Sequence, residues 1–337
     1  MLTITCETPG TLKAETRAKP TRGEGEVLVK IRRIGVCGTD LHIFSGNQPY
    51  LAYPRVMGHE LAGTVEEAPE GSALEAGEQV YIIPYLSCGQ CHACRQGKTN
   101  CCSNIQVLGV HRDGGMTEYL SLPERFVRSA ESITLDQAAM VEFLAIGAHA
   151  VRRGAVMDGQ NVLVVGAGPI GIAVAIFARL RGGRVTMLDT REDRLDFARE
   201  HLGIHAAVQV GEGDREQLAA LTNGDFFDAV FDATGNPKAM ERGFGFVGHG
   251  GSYVLVSIVA SDISFNDPEF HKRETTLLGS RNATPEDFET VVDALRAGQV
   301  PSEALLTHAM TLNEVPERFA GLLDPAAGVI KAMVRID

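Results

Sequence analysis

Asn161-Val-Leu-Val-Val165-Gly166-Ala167-Gly168-Pro169-Ile170-Gly171 is followed by a second apolar segment, Arg184-Val-Thr-Met-Leu-Asp189, that ends in an acid. The first five residues read as a short strand with no polar face, the kind buried in a parallel sheet. G-x-G-x-x-G alone is weak evidence. Between a strand and an apolar helix, with an acid about 20 residues on, it becomes a dinucleotide fingerprint. The glycines allow a tight turn and let a pyrophosphate approach the helix N-terminus. Gly166, Gly168, Pro169, Ile170 and Gly171 are therefore candidate phosphate contacts, and Asp189 the candidate partner of the adenosine ribose. The Asp189 charge would repel the extra phosphate of NADP, so NAD is the expected cofactor. Arg191 and Arg194, a candidate cofactor contact, pull the other way.

Beyond this stretch helices and strands keep alternating. A helix is expected over 192–202, with strands near Ala207, Phe227–Asp232, Gly251–Val256 and Thr275–Leu278. That pattern predicts a six-stranded doubly wound sheet. Asp232-Ala233-Thr234-Gly235 ends its fourth strand at the nucleotide-binding edge, which adds Ala233, Thr234 and Gly235 to the candidate cofactor contacts.

Upstream the pattern is different. Glu26-Val-Leu-Val-Lys-Ile-Arg32 alternates with period two, a half-buried strand. It delivers the chain to Cys37-Gly-Thr39-Asp-Leu-His42 and then to Gly58-His59-Glu60. A lone cysteine at a strand end is usually a small buried hydrophobe, and a lone histidine a hydrogen-bonded core residue. Together Cys37, His59 and Glu60 offer a thiolate, an imidazole and a carboxylate, all of which zinc accepts. Thr39 and His42 are candidates for a proton relay. The loop Ser45-Gly-Asn47-Gln48-Pro49 between the ligand stretches is either an ordinary polar loop or part of a substrate pocket, with Asn47 and Gln48 binding hydroxyls. Glu142 stands in the apolar run Met140-Val-Glu-Phe-Leu144. An unpaired carboxylate there is costly, so it requires a cation, a metal or a proton, unless it simply begins a helix.

A third feature is Cys88-x2-Cys91-x2-Cys94-x7-Cys102, with Cys101 adjacent. Four thiolates on a short lobe make a closed tetrahedral zinc site with no vacant position, and metal binding there should be coupled to folding of the lobe. Counting does not decide between Cys101 and Cys102. An iron–sulfur cluster is the rival occupant.

With 337 residues the chain has room for two domains of about 150 residues each. Seven cysteines, an odd number with several clustered, do not suggest a disulfide framework. The net charge of −12, without a basic stripe, excludes nucleic acid as an expected partner. An acidic substrate would have to be met by specific cations. Residues 1–9 carry no secretory pattern, and the uncharged run 162–178 is broken by glycines and proline and is shorter than the roughly 20 residues of a membrane helix. No membrane association and a cytoplasmic location are expected. In the last sixty residues Thr284-Pro-Glu-Asp287 reads as a capped helix start and Gly298 as its stop. Gly328–Ile336 reads as a strand returning to the first domain.

Taken together, Gly58-His59-Glu60, the four-cysteine lobe and the dinucleotide fingerprint resemble the zinc-dependent medium-chain alcohol and polyol dehydrogenases over the whole chain. The resemblance implies a GroES-like, mostly-β catalytic domain (1–145 and 281–337, with a structural zinc lobe at 86–103) and a Rossmann NAD-binding domain (146–280). It implies two zinc ions, one catalytic and one structural, and a homodimer or homotetramer. Val141-Glu142 resembles the sorbitol dehydrogenase branch, in which a glutamate here ligates the catalytic zinc. Cys37-Gly-Thr-Asp-Leu-His-Ile43 is shared with threonine dehydrogenases. Asn47-Gln-Pro49, Tyr53-Pro-Arg-Val56, Ile83-Pro-Tyr85, Gly109-Val-His111, Asp267–Thr276 and Gly279–Phe288 resemble sugar-acid dehydrogenases of the L-galactonate 5-dehydrogenase type. By the same resemblance Arg281 lies by the active site and is the first choice to meet a carboxylate or the cofactor. Lys272 and Arg273 are weaker candidates.

The expected reaction is oxidation of a secondary alcohol of a sugar acid. Zinc acts as a Lewis acid and the nicotinamide takes the hydride. The proton leaves through Thr39 and His42, or through a water held by Glu60. Zinc with Cys37, Glu60 and Glu142 all ionised would carry net negative charge, so Cys37, His59 and Glu142 are the expected steady ligands, with Glu60 outside them or exchanging with water. A 2-keto-3-deoxy sugar acid, a neutral polyol or L-threonine are alternative substrates. A non-enzymatic nucleotide sensor and a metal-free quinone reductase leave the intact ligand sets unexplained.

Overall fold

The computed structural model of the protein describes residues 1–48 and 51–337, so Pro49 of the polar loop lies outside the described residues. The chain divides into two units, Met1–Glu142 with Thr284–Gly298 and Ser302–Asp337, and Phe143–Ala283 with residues 299–301. Among the described residues no helix is long and apolar enough to cross a membrane.

The first unit is built on a seven-stranded sheet whose central strand is Glu26–Val36. The expected in-out alternation gives way to burial of Val27, Leu28 and Val29 in succession. The cause is crowding: this strand pairs with Glu60–Glu67, Tyr119–Pro123 and Lys331–Arg335, all antiparallel. The C-terminal strand therefore does return to this unit, with Ala332 opposite Val36. On the other side Gly35 stands opposite Glu60. This register brings Cys37, Glu60 and Lys331 to one end of the sheet. Helix Pro285–Arg296 begins with the predicted capping threonine and proline, and Thr284 forms a capping box with Asp287. Its Phe288 ring packs 6.0 Å from Tyr81 and 6.1 Å from Tyr85.

The second unit holds a six-stranded parallel sheet in the order 206–209, 184–189, 161–165, 227–232, 247–255, 276–279. Strand order reverses between 161–165 and 227–232, the switch point at which such sheets bind nucleotides. Leu163, Val230, Phe227 and Tyr253 anchor an apolar core on the sheet. Helix Pro169–Leu180 is buried from Gly171 to Ala178. A Cβ on Gly171 would lie 1.8 Å from the Gly166 carbonyl oxygen, so the turn and the helix can close together only with glycine there. Leu135–Arg153 is one continuous helix that carries the chain from the first unit into the second.

Candidate active site and metal centres

The ligand atoms of Cys37, His59 and Glu60 lie within 4.8 Å of one another. Cys37 follows directly on the central strand and caps the short helix Gly38–Phe44. Asp40, fully buried in that helix, accepts hydrogen bonds from the amides of Cys37 and Gly58, each at 3.0 Å. It thereby ties the two ligand-bearing stretches together and stands 3.8 Å from His59 Nδ1. Asp40 is a residue of the quoted motif to which sequence reading gave no role.

Glu142 is inside helix Leu135–Arg153, well past its start, so the helix-start reading does not apply. One of its oxygens, Oε1, accepts from the Tyr85 hydroxyl. The other, Oε2, is buried without a hydrogen-bond partner, as is His59 Nδ1. Burial pushes the Glu142 carboxyl up to about 7. Burial also disfavours a charged His59, but the nearby Asp40 and Cys37 charges outweigh it and hold the imidazole well above its ordinary range. The donor set gathered within 4.8 Å is the Cys37 sulfur, the His59 imidazole and the Glu60 carboxylate, a set zinc accepts, while Glu142, the expected third ligand, is not in that group.

Glu60 is fully buried and both its oxygens accept from Lys331 Nζ, at 2.6 and 2.8 Å. The ammonium also donates to the Val36 carbonyl at 3.3 Å. Burial works against the charge on Lys331, yet the Glu60 and Cys37 charges raise its pKa. Sequence reading gave neither Lys331 nor Tyr85 a role at the site. The signal for Lys331 was the one used for Glu142, a lone charge in an apolar run, here between Ile330 and Ala332-Met-Val334.

Of the relay candidates, Thr39 is half-buried and His42 exposed, one helical turn apart. The Asn47 amide donates to the His42 carbonyl at 2.8 Å; Asn47 is exposed and Gln48 partly buried.

In the lobe, Cys88, Cys91, Cys94 and Cys102 lie within 4.8 Å of one another, while Cys101 is exposed and outside the group. The amides of Cys88 and Asn104 donate to the Cys102 sulfur, and that of Cys91 to the Cys88 sulfur. Amides of Cys94 and Ser103 lower the Cys91 thiol to about 5. Such N–H···S bonds favour the thiolate that binds metal.

In the second unit the turn after Val165 has Gly166 at φ 98° and open space where Gly168 would carry a Cβ. Asp189 accepts from the Ala167 amide at 2.6 Å and the Arg191 amide at 2.8 Å, which places the acid against the glycine turn. Buried Asp232 takes the Thr234 amide and hydroxyl, and Ser257 donates to the same oxygen. Ala233, Thr234 and Gly235 are thereby held at the carboxyl edge of the sheet, close to Gly166. Open space at Gly168 beside a helix N-terminus fits a dinucleotide pyrophosphate. Arg194 is partly buried on the helix that follows Asp189. Arg281 is exposed just past strand Thr276–Gly279, at that same edge. Arg273 instead donates to the Val247 carbonyl at the opposite end of the sheet, and Lys272 is a solvated partner of Glu269 on a short helix.

Against known proteins, residues 23–132 match the alcohol dehydrogenase GroES-like domain and residues 169–297 the zinc-binding dehydrogenase family. The chain is 44% identical to L-galactonate-5-dehydrogenase of Escherichia coli strain K12 over 322 residues, 94% of this chain and 95% of that protein. The crystal structure of the RspB alcohol dehydrogenase of E. coli CFT073, complexed with NADH, matches with a TM-score of 0.93 and 30% identity over 100% of this chain and 99% of that one. L-idonate 5-dehydrogenase of E. coli K-12 matches with a TM-score of 0.91 and 25% identity over 99% and 98%.

Proposed function

The chain belongs to the zinc-binding alcohol dehydrogenase family, and from that premise we propose that it oxidises a secondary alcohol of a sugar acid, an L-galactonate-like hexonate, at the 5 position with NAD. The observation that carries this reading is the 44% identity to a hexonate dehydrogenase in a chain that brings the ligand atoms of Cys37, His59 and Glu60 within 4.8 Å of one another.

When bound, zinc supplies Lewis acidity toward the substrate hydroxyl and the nicotinamide accepts the hydride. The rest is the work of the chain. Cys37, His59 and Glu142 hold the metal, and Asp40 holds Cys37 and Gly58 in place. Thr39 accepts the hydroxyl proton as it gives its own to His42, which is one turn on and exposed and passes a proton to solvent. Asn47 and Gln48 bind sugar hydroxyls. Arg281 meets the carboxylate through two parallel N–H···O bonds. Asp189 takes the ribose hydroxyls, favouring NAD over NADP. A cytoplasmic homodimer or homotetramer, with residues 1–145 and 281–337 as the catalytic domain and 146–280 as the NAD-binding domain, completes the proposal.

The substrate class is tested by comparing hexonates and neutral polyols on wild type and Arg281→Ala, following NADH absorbance. The variant is expected to lose kcat/KM for the acid far more than for the polyol. Equal losses would remove the carboxylate role.

A further inference from the structure

Tyr53-Pro-Arg-Val56 and Gly109-Val-His111 have no part in the chemistry above, yet Arg55 and His111 line one cleft of about 490 Å³ in the first unit. A volume of that size is typical of a small-molecule site. In a chain of net charge −12, three arginines, Arg17, Arg55 and Arg112, and one carboxylate, Asp113, face this cleft. Asp113 is shared between Arg17 Nη1 at 3.0 Å and Arg55 Nη1 at 3.2 Å. Glu15 balances Arg17 from outside the lining, which leaves one positive charge uncompensated. Tyr119, on the wall of the cleft, pairs with Lys30, roughly 20 Å along the central strand from Cys37.

We propose that this cleft binds a small hydroxylated oxyanion, a sugar phosphate or a sugar acid, with its charged oxygens on Arg55 and Arg112 and a hydroxyl on Tyr119. Arg55 carries most of the argument. Its side chain is 16% exposed, Nη1 reaches only Asp113, and its buried Nε has no hydrogen-bond partner. A mostly buried guanidinium short of acceptors is costly, and an oxyanion supplies them through forked N–H···O bonds. Arg112 is exposed, and among the described residues its side chain makes no ion pair or hydrogen bond, so its donors face solvent. The Tyr119 hydroxyl likewise has no hydrogen-bond partner among the described residues. The cleft is built in advance of any ligand. Amides of Gly114, Gly115 and Met116 donate to the carbonyls of Val56, Gly58 and Met57 at 2.7, 2.9 and 2.9 Å. Asp113 also accepts from the Val56 amide at 3.2 Å. These bonds fix the backbone of Arg55 relative to that of Arg112, which lowers the ordering cost of binding. The inference depends neither on the metal nor on the reaction proposed above.

The test is calorimetric titration of the zinc-loaded protein, without NAD, with glucose 6-phosphate, gluconate, inorganic phosphate and glucose. At least one of the two sugar anions should bind wild type, and which one does so identifies the ligand; neutral glucose should not bind. Arg112→Gln, which breaks no contact, should weaken that binding roughly 10-fold or more, and Arg55→Gln at least as much. Tyr119→Phe should weaken the sugar anion and leave inorganic phosphate unaffected. Arg281→Ala should leave the sugar anion's binding unchanged, which separates this cleft from the site of the proposed reaction. Failure of both sugar anions to bind, or binding that survives Arg112→Gln undiminished, overturns the proposal. Inorganic phosphate binding as tightly as the sugar anion overturns the assignment of a hydroxylated ligand. Should Arg55→Gln not fold, Arg112→Gln decides alone.

Discussion

Gly35 and Glu60 face one another on adjacent strands, and the glutamate side chain occupies the space a larger residue at position 35 would fill. An alanine there would put its Cβ 2.0 Å from Glu60 Oε2 and 2.9 Å from Glu60 Cβ, in a region where Glu60 is completely buried. Gly35→Ala is expected to cost about 1–3 kcal/mol, the usual penalty of overpacking, and to break the grip of Lys331 on Glu60. Urea unfolding checks the first effect. Unchanged stability would mean that the strands part more easily than their register suggests.

The four-cysteine lobe separates neighbouring thiols. Cys102→Ser should release the lobe's zinc and lower the melting temperature, while Cys101→Ser should do neither, because only Cys102 lies with Cys88, Cys91 and Cys94. Metal analysis of the two variants, paired with thermal melts, checks this. Loss of metal from Cys101→Ser would reverse the assignment.

Cofactor choice is expected to follow Asp189. Asp189→Asn keeps an acceptor for the Ala167 amide but removes the charge. Losing a charge-assisted hydrogen bond costs about 1.5–3 kcal/mol, so kcat/KM for NAD should fall roughly 10- to 100-fold, and the ratio to NADP should move toward the phosphorylated cofactor. A ratio left unchanged would shift the selectivity onto Arg191 and Arg194.

Metal uptake should depend on pH in a definite direction. Without metal, burial lifts the Glu142 carboxyl to about 7, and the charges of Asp40 and Cys37 hold a proton on His59. Both groups must be unprotonated to ligate. Affinity for metal at this site should therefore rise as pH increases through about 7, with protons released on binding. Competition against a chromophoric chelator at several pH values measures it. Affinity that is flat across that range would contradict the geometry.

The parts legible in sequence are those whose physics is local. The glycine turn after Val165, the helix begun by Thr284 and Pro285, and the cysteine spacing of the lobe each fix their structure within a few residues. Strand ends were less legible: 251–256 extends back to Val247 because that residue pairs with Phe227. Lys331 escaped because its partner is 271 residues away and the pair exists only through strand register. Tyr85 and Asp40 escaped for the same reason, since their acceptor or donor groups belong to Glu142 and Gly58 on other elements.

The central claim is metal-dependent hydride transfer at Cys37 and His59, and its most direct test is NADH formation from L-galactonate-like hexonates by wild type and by Cys37→Ser, with zinc content measured in both. Wild type should carry two zinc ions per chain, one at each ligand group, and reduce NAD. Cys37→Ser should keep the lobe's zinc and its fold while losing turnover; undiminished turnover with only the lobe's zinc bound would contradict the account.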